Sequence, residues 1–379
     1  MSTPDELSAP PAPSGRAARS LPDFPWDTLA PYAATARSHA GGAVDLSVGT
    51  PVDPTPPLVR DALAAASDAH AYPLTAGSPE LRAALTEWFV ARCGAVADGL
   101  GVLPTIGSKE LVAWLPTLLG LGPHDTVVIP ELAYPTYDVG SRLAGAALIR
   151  SDSTAAVGPA PVSLVWVNSP SNPTGRVLPA EHLAKVVAWA RERGAVVVSD
   201  ECYLELGWDA EPVSVLSPEV CGGSYEGVLA VHSLSKRSNL AGYRAGYVGG
   251  DPALVARLLE IRKHAGMIVP APVQAAMVAA LGDSTHVAQQ RERYAARRLL
   301  LREALVSAGF TVEHSEAGLY LWVTRGEDCW DTVAWLAERG ILVAPGTFYG
   351  PAGQRHVRVA LTATDERVAA AVERLTPTP

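Results

Sequence analysis

The sequence predicts an α/β protein: a large domain with a mostly parallel seven-stranded sheet covered by helices on both faces, joined to a smaller α+β domain. Three observations lead there. Short β-branched runs alternate with longer helical patterns up to residue 280, as α/β domains require. Several of those runs are apolar throughout, the mark of strands covered on both faces. Beyond a long helical pattern from 284 to 308, the strand-like runs change to an alternating character.

Taken in order, residues 1–20, "MSTPDELSAPPAPSGRAARS", carry too little apolar surface to offset the entropy of ordering and are expected to form a loose arm. Residues 21–45 are assigned to the start of the small domain, 46–280 to the large domain and 281–379 to the rest of the small one. The large-domain strands are "VLPTI", "TVVIP", "AALIR", "SLVWVN", "AVVVSD", "VLAVHS" and "AGYVGG". Between them, "SPELRAALTEWFVARCG", "SKELVAWLPTLLGLG" and "PAEHLAKVVAWARERG" have helical spacing. In the first, Ser78 can cap the start, Pro79 suits the first helical position, and Gly94 suits a left-handed end. "GLYLWVT", "GILVAPG" and "HVRVAL" supply the small domain's strands.

With 48% apolar and 18% charged residues the chain is globular, and a net charge of −9 offers no general attraction to nucleic acid or to an anionic membrane. The four cysteines lie far apart without CxxC spacing, and no HxxxH or HExxH pair occurs, so neither a disulfide framework nor a metal is expected. The longest apolar run is too short to span a bilayer, and the expected location is the cytoplasm.

Five segments carry chemistry. "HSLSKRSNLAGYRAG" places Lys236, one of only four lysines, after a buried strand, where open α/β sheets bind ligands. Ser233, Ser235 and the Arg244 fork beside it suit a phosphate dianion. In "TIGSKELVAWL", Gly107 permits close backbone approach and Ser108 opens a helix whose free amides favour an anion, while Lys109 reads as an exposed helix residue. "VVVSDECY" ends a buried strand with Asp200 and Tyr203, a charged partner for a ring nitrogen and a donor for a ring oxygen. "VNSPSNPTG" has turn composition and offers rigid amides from Asn168 and Asn172; Tyr134 of "PELAYPTYDV" offers a flat stacking face. Each element alone has a plainer reading as a cap, a turn or packing. Together they supply an amine, a ring-nitrogen partner, a ring-oxygen donor, a stacking face and a phosphate site, all of which pyridoxal 5'-phosphate needs.

These segments, in this order, resemble the pyridoxal-phosphate aminotransferases of fold type I, the aspartate-aminotransferase-like group, over nearly the whole chain. The resemblance implies that Lys236 forms the Schiff base, Asp200 pairs with the pyridinium nitrogen, Asn172 and Tyr203 bind the 3'-oxygen, and Tyr134 stacks on the ring. It places the phosphate among Gly107, Ser108, Lys109, Ser233, Ser235 and Arg244, with Tyr72 of "YPLTAGSPELR" reaching in from a second subunit of a homodimer. Arg358 of "VRVAL" would grip the substrate α-carboxylate near Gly49, with Asn172 beside it. More narrowly, "HSLSKRSNLAGYRAGYVGGD", "LYLWVTRGED" and "GILVAPGTFYG" are similar to actinobacterial N-succinyldiaminopimelate aminotransferases of lysine and diaminopimelate biosynthesis. That donor is multiply anionic, so a second cationic contact is expected from Arg37, Arg262, Lys263 or His264.

The competing readings are an aspartate, aromatic or kynurenine aminotransferase of the same group and a pyridoxal-phosphate carbon–sulfur lyase. A regulator fused to a DNA-binding domain is disfavoured, because only about 40 residues precede the resemblance, fewer than the roughly 50 of a small domain. A dinucleotide dehydrogenase is disfavoured because no GxGxxG joins a first strand to a helix.

Overall fold

The structure, a computed structural model, describes residues 21–376, so the expected arm at 1–20 lies outside the described residues. A two-residue strand, β1 (Val44–Asp45), precedes seven longer ones: β2 (Gly101–Ile106), β3 (Thr126–Ile129), β4 (Ala147–Arg150), β5 (Val162–Asn168), β6 (Val196–Asp200), β7 (Val228–Ser233) and β8 (Ala245–Gly250). These seven correspond to the seven runs read from the sequence. They form one sheet in the order β2-β8-β7-β6-β5-β3-β4, parallel except for β8, which runs antiparallel to both neighbours.

Side chains of a strand alternate between faces, and here both faces are apolar. Val128, Val165, Val167, Val197 and Ala230 belong to a core shared with the helices Pro79–Cys93 and Ala180–Arg191. Their sequence neighbours Val127, Ile129, Leu164, Trp166, Val198, Leu229 and Val231 belong to a second core, under the helices Ser108–Leu118, Thr136–Ala144 and Pro252–Ala265. Burying each such Val, Leu or Ile side chain contributes about 1.5–3 kcal/mol. The first helix is bounded as its composition predicts: Ser78 Oγ accepts from Leu81 N at 3.1 Å, and Gly94 adopts φ 65°.

The remaining strands are β9 (Thr311–Glu313), β10 (Tyr320–Thr324), β11 (Ile341–Leu342), β12 (Ala344–Pro345) and β13 (Val357–Ala360). Four of them make an antiparallel sheet in the order β12-β13-β10-β9, and β11 pairs in parallel with β1. A third core of Leu301, Leu305, Val333, Leu336 and Val368 joins this sheet to the helices Thr285–Ser307, Cys329–Glu338 and Asp365–Leu375. The alternation expected of these runs does not become alternating exposure. All four residues of β13 are buried: Val357, Val359 and Ala360 join the third core, and Arg358 is covered by Asn172 and Ser47, to which it donates. Among the described residues, no helix is long and apolar enough to cross a membrane.

Candidate active site

The site lies where β5, β6 and β7 end and the chain leaves the sheet in the loops that carry Asn172, Tyr203 and Lys236. After β7 a single turn, Leu234–Arg237, begins with Ser233, whose Oγ accepts from Ser235 N at 3.1 Å. That turn sets Lys236 against the segment before the large sheet, where its Nζ donates to the Gly49 carbonyl. Burial holds the Lys236 amine below its ordinary pKa; Tyr320 and Cys202 oppose this, and the Arg358 and Arg244 guanidiniums add to it.

Asp200 ends β6 in register with Asn168 of β5 and Val231 of β7. It is buried, with Oδ2 accepting from Tyr137 Oη at 2.8 Å and Oδ1 from Cys202 N at 3.3 Å. Burial raises its pKa, and these hydrogen bonds only partly offset the rise. The expected permanent charge is therefore not inherent in the protein alone. A cationic ring nitrogen is the compensation this carboxylate lacks, and in that sense the pocket fits a pyridinium.

Asn168 organises the next loop: Nδ2 donates to Asp200 O at 2.8 Å and Pro170 O at 3.1 Å, while Oδ1 accepts from Asn172 N at 2.8 Å. Asn172 Oδ1 accepts from Arg358 Nη1 at 2.8 Å, which leaves its Nδ2 for a ligand oxygen. Tyr203 Oη lies 3.1 Å from Tyr320 Oη. Tyr134 is half-buried at the same end of the sheet, edge-on to Tyr137, and burial pushes it up to about 12.

Strand register assembles the anion site. Ser233 faces Gly246 and Ile106 faces Ala245, so Ser108, Ser233 and Arg244 converge at the ends of three adjacent strands. Gly107, at φ 74°, precedes the helix Ser108–Leu118, whose first amides have no partner within the helix. The backbone lies so close that a Cβ at Gly246 would stand 2.7 Å from Ser108 N, and Arg244 Nη2 rests against Gly107. Ser233 Oγ donates to Ser235 Oγ at 2.8 Å. Only the backbone of Lys109 belongs to this cradle; its Nζ sits 5.6 Å over the Phe24 ring. Tyr72 is 98% exposed on its own chain.

Arg358 is 2% exposed. Its Nη2 donates to Ser47 O at 2.7 Å, its Cζ stands 3.9 Å over the Tyr320 ring, and its Nε is buried without a partner among the described residues. An unpaired buried donor on a guanidinium is a standing demand for an oxyanion. Of the residues expected to meet a distal charge, Arg262 is excluded: it is fully buried and committed to Glu110 at 2.9 and 3.0 Å. Lys263 pairs with Glu260 at 2.6 Å on the outside of the same helix, and Arg37 and His264 are exposed.

Sequence reasoning missed Tyr137, Tyr320 and Trp26. Tyr137 had a signal, an aromatic residue three positions after Tyr134 at a helix start facing the sheet. The others had none, because their neighbours are distant in sequence. Trp26 packs on Phe348 at 5.2 Å, with Arg358 Cζ 6.0 Å from its ring. The fold also gathers Cys93, Glu201 and His232 in the core, where no sequence spacing had indicated potential metal ligands. His232 Nε2 lies 3.1 Å from Glu201 Oε2, and Glu201 Oε1 accepts from Val215 N at 2.7 Å.

Residues 42–375 match the family model described as aminotransferase class I and II. The chain is 66% identical over 371 residues to a probable aminotransferase of Mycobacterium tuberculosis, covering 98% of this chain and 88% of that protein. It is 63% identical to the 4-dedimethylamino-4-oxo-anhydrotetracycline transaminase of Streptomyces rimosus, covering 94% of this chain and all of the relative. Among solved structures, the probable N-succinyldiaminopimelate aminotransferase from Thermus thermophilus superposes with a TM-score of 0.83 at 28% identity, covering 93% of this chain and 99% of that one. A match of this extent, on a fold with this pocket, makes the chain a member of the class I and II aminotransferases, fold type I enzymes that use pyridoxal 5'-phosphate.

Proposed function

We propose that the protein transfers the amino group of N-succinyl-LL-2,6-diaminopimelate to 2-oxoglutarate, yielding N-succinyl-2-amino-6-oxopimelate and glutamate. The observation that carries this reading is Arg358, buried with an unpaired Nε, reaching the same Ser47–Gly49 segment that receives Lys236. A carboxylate held there lies beside the amine. The donor has further negative charge at its far end, and Lys109, across an aromatic wall of Phe24 and Trp26 from Arg358, is the cation proposed to meet it.

Bound at this site, pyridoxal 5'-phosphate supplies an aldehyde carbon for amine exchange and a ring that withdraws electrons from the substrate Cα. Lys236, whose amine burial holds below its ordinary pKa, would take the Cα proton. Asp200 would hold a proton at the ring nitrogen, while Asn172 Nδ2 and Tyr203 Oη would serve as donors to the ring oxygen. Tyr134 would cover the ring. Ser108 with the amides of Gly107 and Lys109, together with Ser233, Ser235 and Arg244, would hold the phosphate, and Tyr72 would complete that site from a second copy of the chain in a homodimer. Arg358 orients the α-carboxylate as a bidentate fork. Four free cysteines support a reducing, cytoplasmic setting.

A second reading has its own support: the 63% identity to the tetracycline-pathway transaminase favours a bulky polycyclic oxo acceptor. A panel of amino donors offered with 2-oxoglutarate, followed by glutamate formation, together with a polycyclic ketone offered with an amino donor, followed by loss of the ketone, separates the two. Preference for the succinylated donor supports the first reading. Preference for a donor without a succinyl group, or turnover confined to a polycyclic ketone, overturns it.

A further inference from the structure

Tyr320 has no role in the reading above, yet it touches the residues that do. It opens β10 and is 4% exposed. Its Oη lies 3.1 Å from Tyr203 Oη, and the Arg358 guanidinium sits flat on its ring with Cζ 3.9 Å from the centroid. Its hydroxyl presses against Gly49, where a Cβ would overlap it, and the Gly49 carbonyl receives Lys236.

A phenylalanine would fill the same volume and keep the cation over the ring. The hydroxyl therefore needs a separate explanation, and Tyr203 supplies it. A phenol carries a single proton, so Tyr203 can donate to a ligand oxygen only if its own oxygen serves as the acceptor for Tyr320. Burial pushes the Tyr203 phenol well above its ordinary pKa. Burial would do the same to Tyr320, but the positive Arg358 guanidinium on its ring is the largest opposing influence, and Tyr320 lies below its ordinary value. Tyr320 is thus the better donor of the two, and hydrogen bonds in such a chain strengthen one another.

We propose that Tyr320 is a positioning residue whose hydroxyl donates to Tyr203 and thereby aims and strengthens the Tyr203 proton toward the ring oxygen of the cofactor. This rests on the assignment of Tyr203 and Lys236 as cofactor residues.

The test is a pH titration of the visible absorption of the purified holoenzyme without substrate. A weaker donor leaves negative charge on the ring oxygen less stabilised, so the proton is retained to higher pH. Tyr320→Phe should move the midpoint up by about half a unit to one unit, the worth of one hydrogen bond. Tyr203→Phe should move it at least as far, and the double variant no further than Tyr203→Phe alone. Fluorotyrosine at position 320, a stronger donor of nearly the same shape, should move it down. An unmoved midpoint with both replacements at 320, or shifts that add in the double variant, overturns the proposal. A visible band that survives Lys236→Ala, or that the wild-type holoprotein lacks, overturns the cofactor assignment instead.

Discussion

Tyr137 donates a 2.8 Å hydrogen bond to Asp200 Oδ2 from a ring stacked on Trp166, the centroids 4.8 Å apart and the planes 16° from parallel. The stack fixes the phenol, and the phenol stabilises the charged carboxylate against burial, the largest influence on it. Tyr137→Phe removes that support. If the ionised carboxylate is the working form, activity is lost as pH falls through the Asp200 pKa, and a higher pKa moves the acid limb upward. The pH profile of kcat/KM should shift by about half a unit to one unit toward neutral pH.

Burial makes the charged form of Asp200 a cost to stability. A carboxyl whose folded pKa is raised is penalised in its charged form. The cost is present above the folded pKa and vanishes below the unfolded one. Asp200→Asn should therefore raise the melting temperature of the cofactor-free protein near pH 7 by about 2 °C, a gain that disappears at acid pH, while abolishing turnover. Calorimetry of the two apoproteins across pH measures it.

Lys236→Ala should eliminate both the visible absorption of the holoenzyme and steady-state turnover, by at least about 1,000-fold for the latter. A spectrum taken beside a turnover assay suffices. Unchanged turnover would refute the role given to this amine.

Arg358 makes two hydrogen bonds through a planar fork and keeps Nε in reserve. Lysine preserves the charge but cannot hold Asn172, Ser47 and a carboxylate together. Arg358→Lys should raise KM for amino and oxo acid alike, lowering kcat/KM roughly 100-fold. Initial rates with several substrates test whether the loss is common to all of them, as a contact with the shared α-carboxylate requires.

Gly49 is constrained by Tyr320. An added Cβ would overlap the hydroxyl and stand 2.8 Å from the ring Cζ. Gly49→Ala should cost about 1–3 kcal/mol of stability through overpacking, and Gly49→Ala with Tyr320→Phe should recover part of it. Denaturant midpoints of the four proteins form the cycle; equal losses with and without the hydroxyl would place the strain elsewhere.

Strand positions were legible because strand and helix periodicities are local. "AVVVSD" and "VLAVHS" read as buried strands, and β6 and β7 occupy them. Lys236, Asp200 and Arg244 stood out as candidates because each lies within a short motif with its own chemistry. The partners of Arg358 were not. The same residue in an alternating run reads as solvent-facing, and only the covering of β13 on both faces buries it. Lys109 was legible as part of the helix start, but the direction of its side chain toward Phe24 was not.

The sequence by itself determined the α/β class, the seven strands of the large sheet and the place of a lysine at a strand end, because backbone preference and hydrophobic period act over a few residues. Tertiary structure decided which polar groups meet: Tyr203 with Tyr320 across 117 residues, and Asn172 with Arg358 across 186. Those encounters depend on sheet order and on the packing of the small sheet against the loops of the large one. Neither leaves a periodic trace in the chain, since a hydrogen bond between distant segments constrains two residues without constraining those between them.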